Sequence, residues 1–368
     1  MRSAKEILER YRSGRATQEE QAWVERWWLT HNVDDSVELT EKKEAELSKV
    51  MSRSIDKLIA QRPSGFRWLP YAAAVILVII AGLLWRIQDF SMDKQPSASD
   101  ILPGSHRAVL TYSDGTKVDL SEKQGGIVIG EELTYLDGSA VATPREADSE
   151  LLLTTPKGGT YQAVLPDGTH VWLNAASTLR YPSTFKDGRR IVELKGEAYF
   201  DVKKIQEQGG FVPFVVKTEG QVVSVLGTTF NISAYPDDRQ TKTTLETGIV
   251  EVYSLADNAT KRLKPGEQSR IGKGEFEIAQ VDVDTEIGWK NGYFNFNRSN
   301  IDDVLKQFSR WYDVDFVYTG KKEGIKLSGS IHRNVSADKA LSILDYFDLK
   351  YRIKDTKKDG IHVLVEDN

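Results

Sequence analysis

One apolar stretch constrains the architecture of this chain more than any other feature of its sequence. Residues 68–85 are 18 consecutive side chains without a single charge. As an α-helix this stretch would extend roughly 27 Å, close to the thickness of the hydrocarbon layer of a bilayer. The sequence therefore predicts one transmembrane helix over 68–86. Arginines and interfacial aromatic residues mark the two predicted ends: Arg67, Trp68, Tyr71, Trp85 and Arg86.

The charges on the two sides of this stretch indicate its orientation. The 19 residues before it carry five basic side chains and one acidic one, whereas the 20 residues after it carry two basic and three acidic ones. Cytoplasmic flanks of membrane spans are enriched in lysine and arginine. We therefore expect residues 1–67 in the cytoplasm and the long C-terminal part outside. The chain has no cysteine, whereas a eukaryotic domain of this size outside the cell would usually carry disulfides. We therefore expect the C-terminal part in a bacterial periplasm and the single span in the bacterial inner membrane.

Residues 1–62 have the pattern of a small all-α domain. Apolar residues recur there at helical spacing, and Thr17 with Glu20 forms a capping-box pattern before a tryptophan-rich helix. A domain this small can bury little aromatic surface, so these side chains form its core, bind a partner, or do both. The candidate partner-binding residues are Leu8, Tyr11, Trp23, Trp27 and Trp28.

A polar linker over 87–106 is predicted to lead into an all-β region over 107–285. Turn-forming pairs such as Asp114-Gly115 and Asp167-Gly168 separate short runs in which apolar residues alternate with polar ones. Many short strands at this spacing are typical of a sandwich, a roll or a short solenoid.

From residue 290 to 368 the pattern changes to that of a small α+β domain. Two amphipathic helices are predicted, over Ile301–Tyr312 and Ala337–Phe347, with Ser299 and Ser336 as their N-caps. Strands are predicted before, between and after the two helices. A sheet of this kind commonly leaves an edge strand open to another protein, so we expect a protein-binding surface within Gly292–Val365.

The sequence lacks the signatures of catalysis, metal binding and nucleic-acid binding. Its five histidines are scattered, and it has no cysteine to supply a thiolate ligand. The net charge is −5, and no segment of the chain is strongly basic. We therefore predict no metal site, no cofactor, no direct contact with nucleic acid and no enzymatic activity.

One pair of residues supports a separate hypothesis. Gly227 and Thr228 follow a predicted strand, and a threonine hydroxyl can attack the preceding carbonyl when a strained turn presents it. The pair is therefore a candidate self-cleavage site. The alternative is a tight turn that only glycine fits.

Several blocks of sequence resemble the FecR-type anti-sigma regulators that are abundant in Bacteroidetes-like bacteria. Residues 7–21 are similar to the cytoplasmic sigma-binding domain of that family, and the last 80 residues to its appended C-terminal domain, which is related to the signalling domains of TonB-dependent receptors. The most recognisable blocks lie between them, at 154–177, 196–202, 213–216, 225–232, 248–252 and 263–267.

The resemblance implies a transmembrane anti-sigma factor. Residues 1–62 would hold an extracytoplasmic-function (ECF) sigma factor, and the C-terminal part would contact the signalling domain of a ligand-loaded TonB-dependent outer-membrane transporter. Envelope proteases would pass the signal on, and some members of the family self-cleave at a Gly-Thr bond that corresponds to Gly227-Thr228.

Two other classes of protein share parts of this organisation. A membrane-anchored envelope assembly protein of secretin type would use the α+β domain to dock into a ring. A membrane-anchored periplasmic hydrolase would carry its active site on the β region. Neither class accounts for a tryptophan-rich cytoplasmic domain, so the regulator is the preferred prediction.

Overall fold

The computed structural model describes Thr17, Ala98 and residues 101–367, apart from 131, 142–149, 208, 273, 322–323 and 357–359. The predicted helical domain over 1–62 and the predicted span over 68–86 lie outside these residues. So do the side chains predicted there for partner binding and for the membrane interface: Leu8, Tyr11, Trp23, Trp27, Trp28, Arg67, Trp68, Tyr71, Trp85 and Arg86. Among the described residues, no helix is long and apolar enough to cross a bilayer. The chain divides into two units after Ser91, and the second unit, Met92–Asn368, contains every described residue except Thr17.

Short strands dominate the described chain from residue 105 to residue 280, as the sequence predicts. In this part of the structure they are β1 (Ser105–His106), β2 (Val109–Tyr112), β3 (Lys117–Asp119), β4 (Gly126–Ile129), β5 (Leu133–Tyr135), β6 (Glu150–Thr155), β7 (Gly159–Val164), β8 (His170–Leu173), β9 (Ser177–Pro182), β10 (Arg190–Asp201), β11 (Gln206–Glu207), β12 (Gly210–Phe211), β13 (Phe214–Lys217), β14 (Gln221–Val225), β15 (Thr229–Ala234), β16 (Thr241–Thr247), β17 (Val250–Ser254), β18 (Ala259–Leu263), β19 (Glu267–Gly272) and β20 (Glu275–Gln280).

Most of these strands belong to two sheets. The first sheet has the order β3-β2-β6-β9-β10-β13-β14-β17-β18. The second has the order β5-β4-β7-β8-β10-β15-β16-β19-β20. In addition, β1 pairs in parallel with the start of β7, and β11 pairs with β12.

One buried cluster of apolar side chains unites the two sheets. Leu153 and Phe214 come from the first sheet, and Phe200 and Phe230 come from the second half of β10 and from β15. The ring of Phe200 lies 6.1 Å from that of Phe214 and 5.1 Å from that of Phe230, measured between centroids. Apolar residues alternate along the strands because only one face of each sheet points into this core. The prediction of an all-β region is thus confirmed, in the form of two sheets packed on one core.

Strand β10 belongs to both sheets, and its pairing changes from one sheet to the other at Gly196. Its residues up to Lys195 pair with β9 and β13, and those from Gly196 onward pair with β8 and β15. Gly196 has a φ of 94°, and a Cβ atom there would lie 2.5 Å from the Ser177 hydroxyl oxygen. Only glycine meets both conditions, because a side chain is strained at positive φ and would also collide with β9.

The C-terminal module (residues 283–367) contains the predicted helices and strands. Its elements are α1 (Val283–Glu286), β21 (Tyr293–Asn300), α2 (Ile301–Tyr312), β22 (Asp315–Tyr318), β23 (Lys326–His332), α3 (Ala337–Leu341), which continues as a 3₁₀ helix (Ser342–Phe347), β24 (Leu349–Thr356) and β25 (Gly360–Asp367). Strand β21 pairs with β23, and β25 lies between β22 and β24.

Two details of the helices differ from the prediction. The N-cap of α2 is Asn300 rather than Ser299. The second helix tightens into 3₁₀ geometry at Ser342, whose hydroxyl donates a hydrogen bond to the Lys339 carbonyl at 2.7 Å. Side-chain bonds of this kind compete with regular helical bonding, which explains the change.

The core of the C-terminal module also includes residues that precede the β region. Val304, Leu305 and Phe308 of α2 are buried, and Ala98 and Ile101 belong to the same apolar cluster. The predicted linker over 87–106 is therefore not a free tether along its whole length. The sequence did not indicate the burial of Ala98 and Ile101, because a few apolar residues in a polar segment form no periodic pattern.

We predict that Gly196→Ala destabilises the region 92–368 by about 3 kcal/mol, because positive φ and the collision with β9 act together. Gly115→Ala is the matched control, since Gly115 has a similar φ of 87° with open space around it. Its cost should be nearer 1 kcal/mol. Urea unfolding measures both values, and equal costs would show that the close approach of β10 to β9 is unimportant.

Candidate functional site

Side chains of the β region contact the C-terminal module at a surface that we call the junction. Its first part lies on the outer face of the second sheet. Trp172, Tyr199 and Asn231 are cross-strand neighbours on β8, β10 and β15. Trp289 donates a hydrogen bond from Nε1 to Asn231 Oδ1 at 3.2 Å. The Lys290 ammonium lies 4.7 Å from the Trp172 ring and 4.5 Å from the Tyr199 ring. The segment after α1 is thus attached to the sheet by a hydrogen bond and by cation–π contacts.

Glu197 lies next to this row and is half-buried. Its two carboxylate oxygens accept hydrogen bonds from Asn174 Nδ2 at 2.7 Å and from Asn231 Nδ2 at 3.0 Å. Burial raises the pKa of Glu197, while the two amide donors and the nearby Arg310 and Arg333 act in the opposite direction. The C-terminal module thus supplies positive charge to a carboxyl group of the β region.

Arg333, from the loop after β23, is the centre of the junction. Its guanidinium donates to Asn174 Oδ1 at 3.0 Å and to the Trp289 carbonyl at 3.1 Å, and it stacks 3.9 Å from the Trp311 ring centroid. Burial lowers its pKa to about 10, against the effects of Tyr235 and Glu197. At neutral pH the side chain therefore stays charged, and its partners in the β region and the C-terminal module replace the water it has lost.

A second set of ion pairs connects α2 to the loop after β15. Arg310 donates to Asp237 Oδ1 at 2.8 Å and to Asp238 Oδ1 at 2.7 Å, and its guanidinium lies 3.6 Å from the Tyr235 ring centroid. Lys306, one turn earlier on α2, bonds the Asp237 carbonyl and lies 3.4 Å from Asp238 Oδ1. Several shared charges make a network of this kind more stabilising than an isolated surface pair.

A polar cleft of about 1050 Å³ opens beside the junction. Strands β16 and β19 line one side, and α1, β21 and α2 line the other. Its walls carry charges of both signs, including Lys242, Arg270, Glu286 and Asp303. Within the described ranges, no group of histidine, aspartate or glutamate side chains could hold a metal ion. Glu197, Arg310 and Arg333 are each hydrogen-bonded to side chains of the β region, so charged groups connect that region to the C-terminal module.

The structure places the predicted Gly227-Thr228 pair in the turn between β14 and β15. Thr228 is buried, and its hydroxyl donates to the Ile249 carbonyl at 3.1 Å. A Cβ atom at Gly227 would lie 2.7 Å from Lys204 Cβ, so the turn needs glycine. This close approach accounts for a glycine at position 227 without any role in a reaction. Self-cleavage at the Gly227-Thr228 bond stays a prediction.

Sequence patterns did not identify the residues of the junction. Glu197 lies in a segment whose alternation predicts a strand, but the pattern does not show which face is covered. Arg310 and Arg333 lack any local signal, because their partners are separated from them by 72 and 159 residues. The predicted receptor-binding region, Gly292–Val365, contains both arginines.

Family comparisons match both sides of the junction. The family model described as FecR protein matches residues 152–251, and the one described as FecR, C-terminal, matches residues 293–358. Glu197 lies in the first range and Arg333 in the second. Among curated proteins, none matches this chain.

Solved structures extend the similarity across most of the described region. Two crystal structures from Parabacteroides distasonis ATCC 8503, at 1.65 and 2.50 Å resolution, are each assigned to an anti-sigma factor. Their sequence identities to this chain are 31% and 30%, with TM-scores of 0.53 and 0.51. Each match covers 99% of the chain in that crystal structure, and 59% or 60% of this chain.

We predict that Arg333→Lys destabilises the region 92–368 by about 3 kcal/mol, because an ammonium cannot bond Asn174 and Trp289 while stacking on Trp311. Arg239→Lys, at a side chain that is 77% exposed, should change stability by less than about 0.5 kcal/mol. Differential scanning calorimetry should also show separate transitions for the β region and the C-terminal module in the Arg333 variant alone. A single transition at the wild-type temperature would contradict the central role of Arg333.

Proposed function

This chain belongs to the FecR family of anti-sigma factors, and we propose that it holds an ECF sigma factor until a signal reaches its C-terminal module. Residues 1–62 bind the sigma factor in the cytoplasm. The stretch over 68–86 crosses the bacterial inner membrane, and the described region lies in the periplasm. The protein acts as a regulator of transcription, not as an enzyme.

The buried junction is the observation that carries the proposal. Arg333 and Arg310 lie in the C-terminal module, and their partners Asn174, Asp237 and Asp238 lie in the β region. Loss of one partner of a buried charge typically costs about 3–5 kcal/mol, so a displacement of either side strains the other. A protein that must pass an external signal toward its membrane span needs such a connection.

The surface that receives the signal is proposed to be the three-stranded sheet of the C-terminal module. Its order is β22-β25-β24, so β22 and β24 are the edges of this sheet within the described residues. Val317 on β22 is partly exposed, and Tyr346, just before β24, is exposed. An edge strand with apolar side chains beside it can accept a strand from another protein. We propose the signalling domain of a ligand-loaded TonB-dependent transporter as that partner.

Sigma-factor binding can be tested with the full-length chain purified from its native host. We predict that the wild-type chain co-purifies with a small sigma factor, and that Trp23→Ala/Trp27→Ala reduces recovery at least about tenfold. Loss of two aromatic anchors from an interface typically has this effect or a larger one. Quantitative mass spectrometry measures the ratio of sigma factor to bait.

Trp85→Ala is the matched control for this experiment. It removes the same kind of side chain from the predicted end of the membrane span, and recovery of the sigma factor should stay at the wild-type level. Absence of any sigma factor with wild-type bait would refute the proposal. Equal recovery with the Trp23/Trp27 variant would move the binding surface away from the tryptophan helix.

The Gly227-Thr228 hypothesis predicts that the wild-type chain is recovered as two fragments that separate at this bond. The Thr228 hydroxyl would attack the Gly227 carbonyl carbon, and the Gly227–Thr228 C–N bond would break, which leaves an ester and a free Thr228 amine. Water would then hydrolyse the ester to a Gly227 carboxylate and restore the Thr228 hydroxyl. Thr228→Ala should stay intact, whereas Thr228→Ser and the neighbouring control Thr229→Ala should be cleaved. Intact-mass spectrometry distinguishes these outcomes, and an uncleaved wild-type chain would leave the pair with the role of a turn.

A further inference from the structure

The cleft beside the junction has two basic side chains on its β-sheet wall. Lys242 on β16 and Arg270 on β19 are directly opposite each other, line the cleft and are half-buried. Like charges in this position destabilise a sheet. Arg270 donates from Nε to Gln268 Oε1 at 2.7 Å, and within the described residues no acidic side chain forms an ion pair with either cation. That includes Glu277, the exposed neighbour of Arg270 on β20. This wall therefore holds positive charge that the described chain does not compensate.

Arg298 brings a third cation to the opposite wall, at a strained position. It lies at an irregularity in the pairing of β21 with β23, and its φ is 52°. This conformation is unfavourable for an arginine, and bulges of this kind often direct a side chain toward a functional site. The Arg298 side chain has no hydrogen-bond or ion-pair partner among the described residues. Contacts within the described chain thus give no reason for an arginine here.

Neutral amides occupy other parts of the cleft walls. Gln240 before β16, Asn297 on β21 and Gln307 on α2 all line the cleft, and none of the three side chains is hydrogen-bonded to a described residue. An amide side chain both donates and accepts hydrogen bonds, so these groups suit a ligand with hydroxyl or amide groups. Trp289 and Tyr293 contribute aromatic surface beside them. The walls therefore favour a hydrophilic ligand over a hydrocarbon.

Acidic side chains limit how much negative charge such a ligand can carry. Besides the acids of the junction, four acidic side chains of the described region line the cleft: Glu275, Asp282, Glu286 and Asp303. Asp282 accepts a hydrogen bond from a neighbouring hydroxyl at 2.8 Å, and Asp303 accepts one from a neighbouring amide at 3.2 Å. A polyanion would be repelled by these carboxylates. One anionic group near the three cations fits this lining better.

We propose that the cleft binds a small hydrophilic molecule through one oxyanion group, which is a carboxylate, a phosphate or a sulfate. Lys242, Arg270 and Arg298 would bind this group, since ammonium and guanidinium ions form strong hydrogen bonds with such oxygens. The amides would bind the rest of the molecule. The cleft volume of about 1050 Å³ is near the upper end for small-molecule sites, and its two walls leave little room for a folded partner.

A ligand in this position would connect the β region to the C-terminal module. Lys242 and Arg270 belong to the first, and Arg298 belongs to the second. The loop that carries Asp238, the partner of Arg310 in the junction, leads into β16. The bound molecule would therefore stabilise the junction against displacement. This input goes beyond the proposed function, because it is separate from the partner proposed at β22 and β24.

The test measures binding to the full-length chain in detergent micelles by isothermal titration calorimetry, and its unfolding temperature by scanning calorimetry. The probes are sodium phosphate, sodium sulfate and sodium glucuronate, a hydroxylated carboxylate, at an ionic strength kept constant with sodium chloride. At about ten times its Kd, a probe should raise the wild-type unfolding temperature by roughly 3 °C. Phosphate and sulfate also stabilise proteins through exclusion from their surfaces, but that effect should be equal in all variants.

Lys242→Gln and Arg298→Asn each remove one of the cations. The first ends the like-charge contact with Arg270, and asparagine tolerates positive φ better than arginine does. Without a probe, both variants should therefore unfold at or above the wild-type temperature. Each should nevertheless bind the probe at least about tenfold more weakly, because a charged hydrogen-bond donor is lost. Lys217→Gln, at an exposed position on β13 outside the cleft, is the control that should keep the wild-type affinity.

Absence of saturable binding of all three probes to the wild-type chain would overturn the proposal. Wild-type affinity in both cleft variants would overturn it as well. A lower unfolding temperature of both variants without a probe would also contradict it, because the cations would then stabilise the free protein. None of these measurements involves a sigma factor or a transporter, so failure here is distinct from failure of the co-purification experiment.

Discussion

A buried positive charge can persist in a protein only where fixed polar groups replace the water around it, and Arg333 meets this condition with groups from both sides of the described region. Asn174 belongs to the β region, whereas Trp289 and Trp311 come from the C-terminal part of the chain. Removing any of these partners leaves a charge that neither water nor protein solvates well. Arg333 thus connects the β region to the C-terminal module through contacts with both.

The same requirement organises the groups around Arg333. Glu197 is half-buried nearby with two amide donors, and Asn174 links the two charged groups because its amide donates to Glu197 and accepts from Arg333. Arg310 extends the network along α2 to Asp237 and Asp238. Each group limits the positions of its hydrogen-bonded neighbours, so a displacement at one end of the network changes the hydrogen bonds at the other end. A regulator that passes a signal through a folded region benefits from such stiffness.

Residues 101–106 are connected to this network through backbone hydrogen bonds. Arg310 makes ion pairs with its side chain, and its carbonyl accepts the Gly158 N–H, whose own carbonyl is bonded to Ser105. A displacement of α2 would therefore weaken the ion pairs of Arg310 and the hydrogen bonds that connect α2 to Ser105 through Gly158.

Regular elements of the structure follow closely from local sequence. The spacing of Ile301, Val304, Leu305 and Phe308 predicts α2 with its observed bounds, because a helix of this length needs one continuous apolar face. Alternation and glycine-containing turns likewise predict the many short strands, since the pleat places successive side chains on opposite faces. The positions of the helices and strands in the C-terminal module were predictable for the same reason.

Amino-acid sequence by itself thus determined the β and α+β character of the described regions, the charge-free stretch over 68–85 and the family resemblance, because these depend on residues that are near one another in the chain. Tertiary structure alone decided which faces meet. Arg333 and Asn174 are 159 residues apart, and Ile101 is a single apolar residue in a polar segment until α3 provides its seat. Long-range desolvation and packing select these contacts, and neither leaves a periodic pattern in the chain.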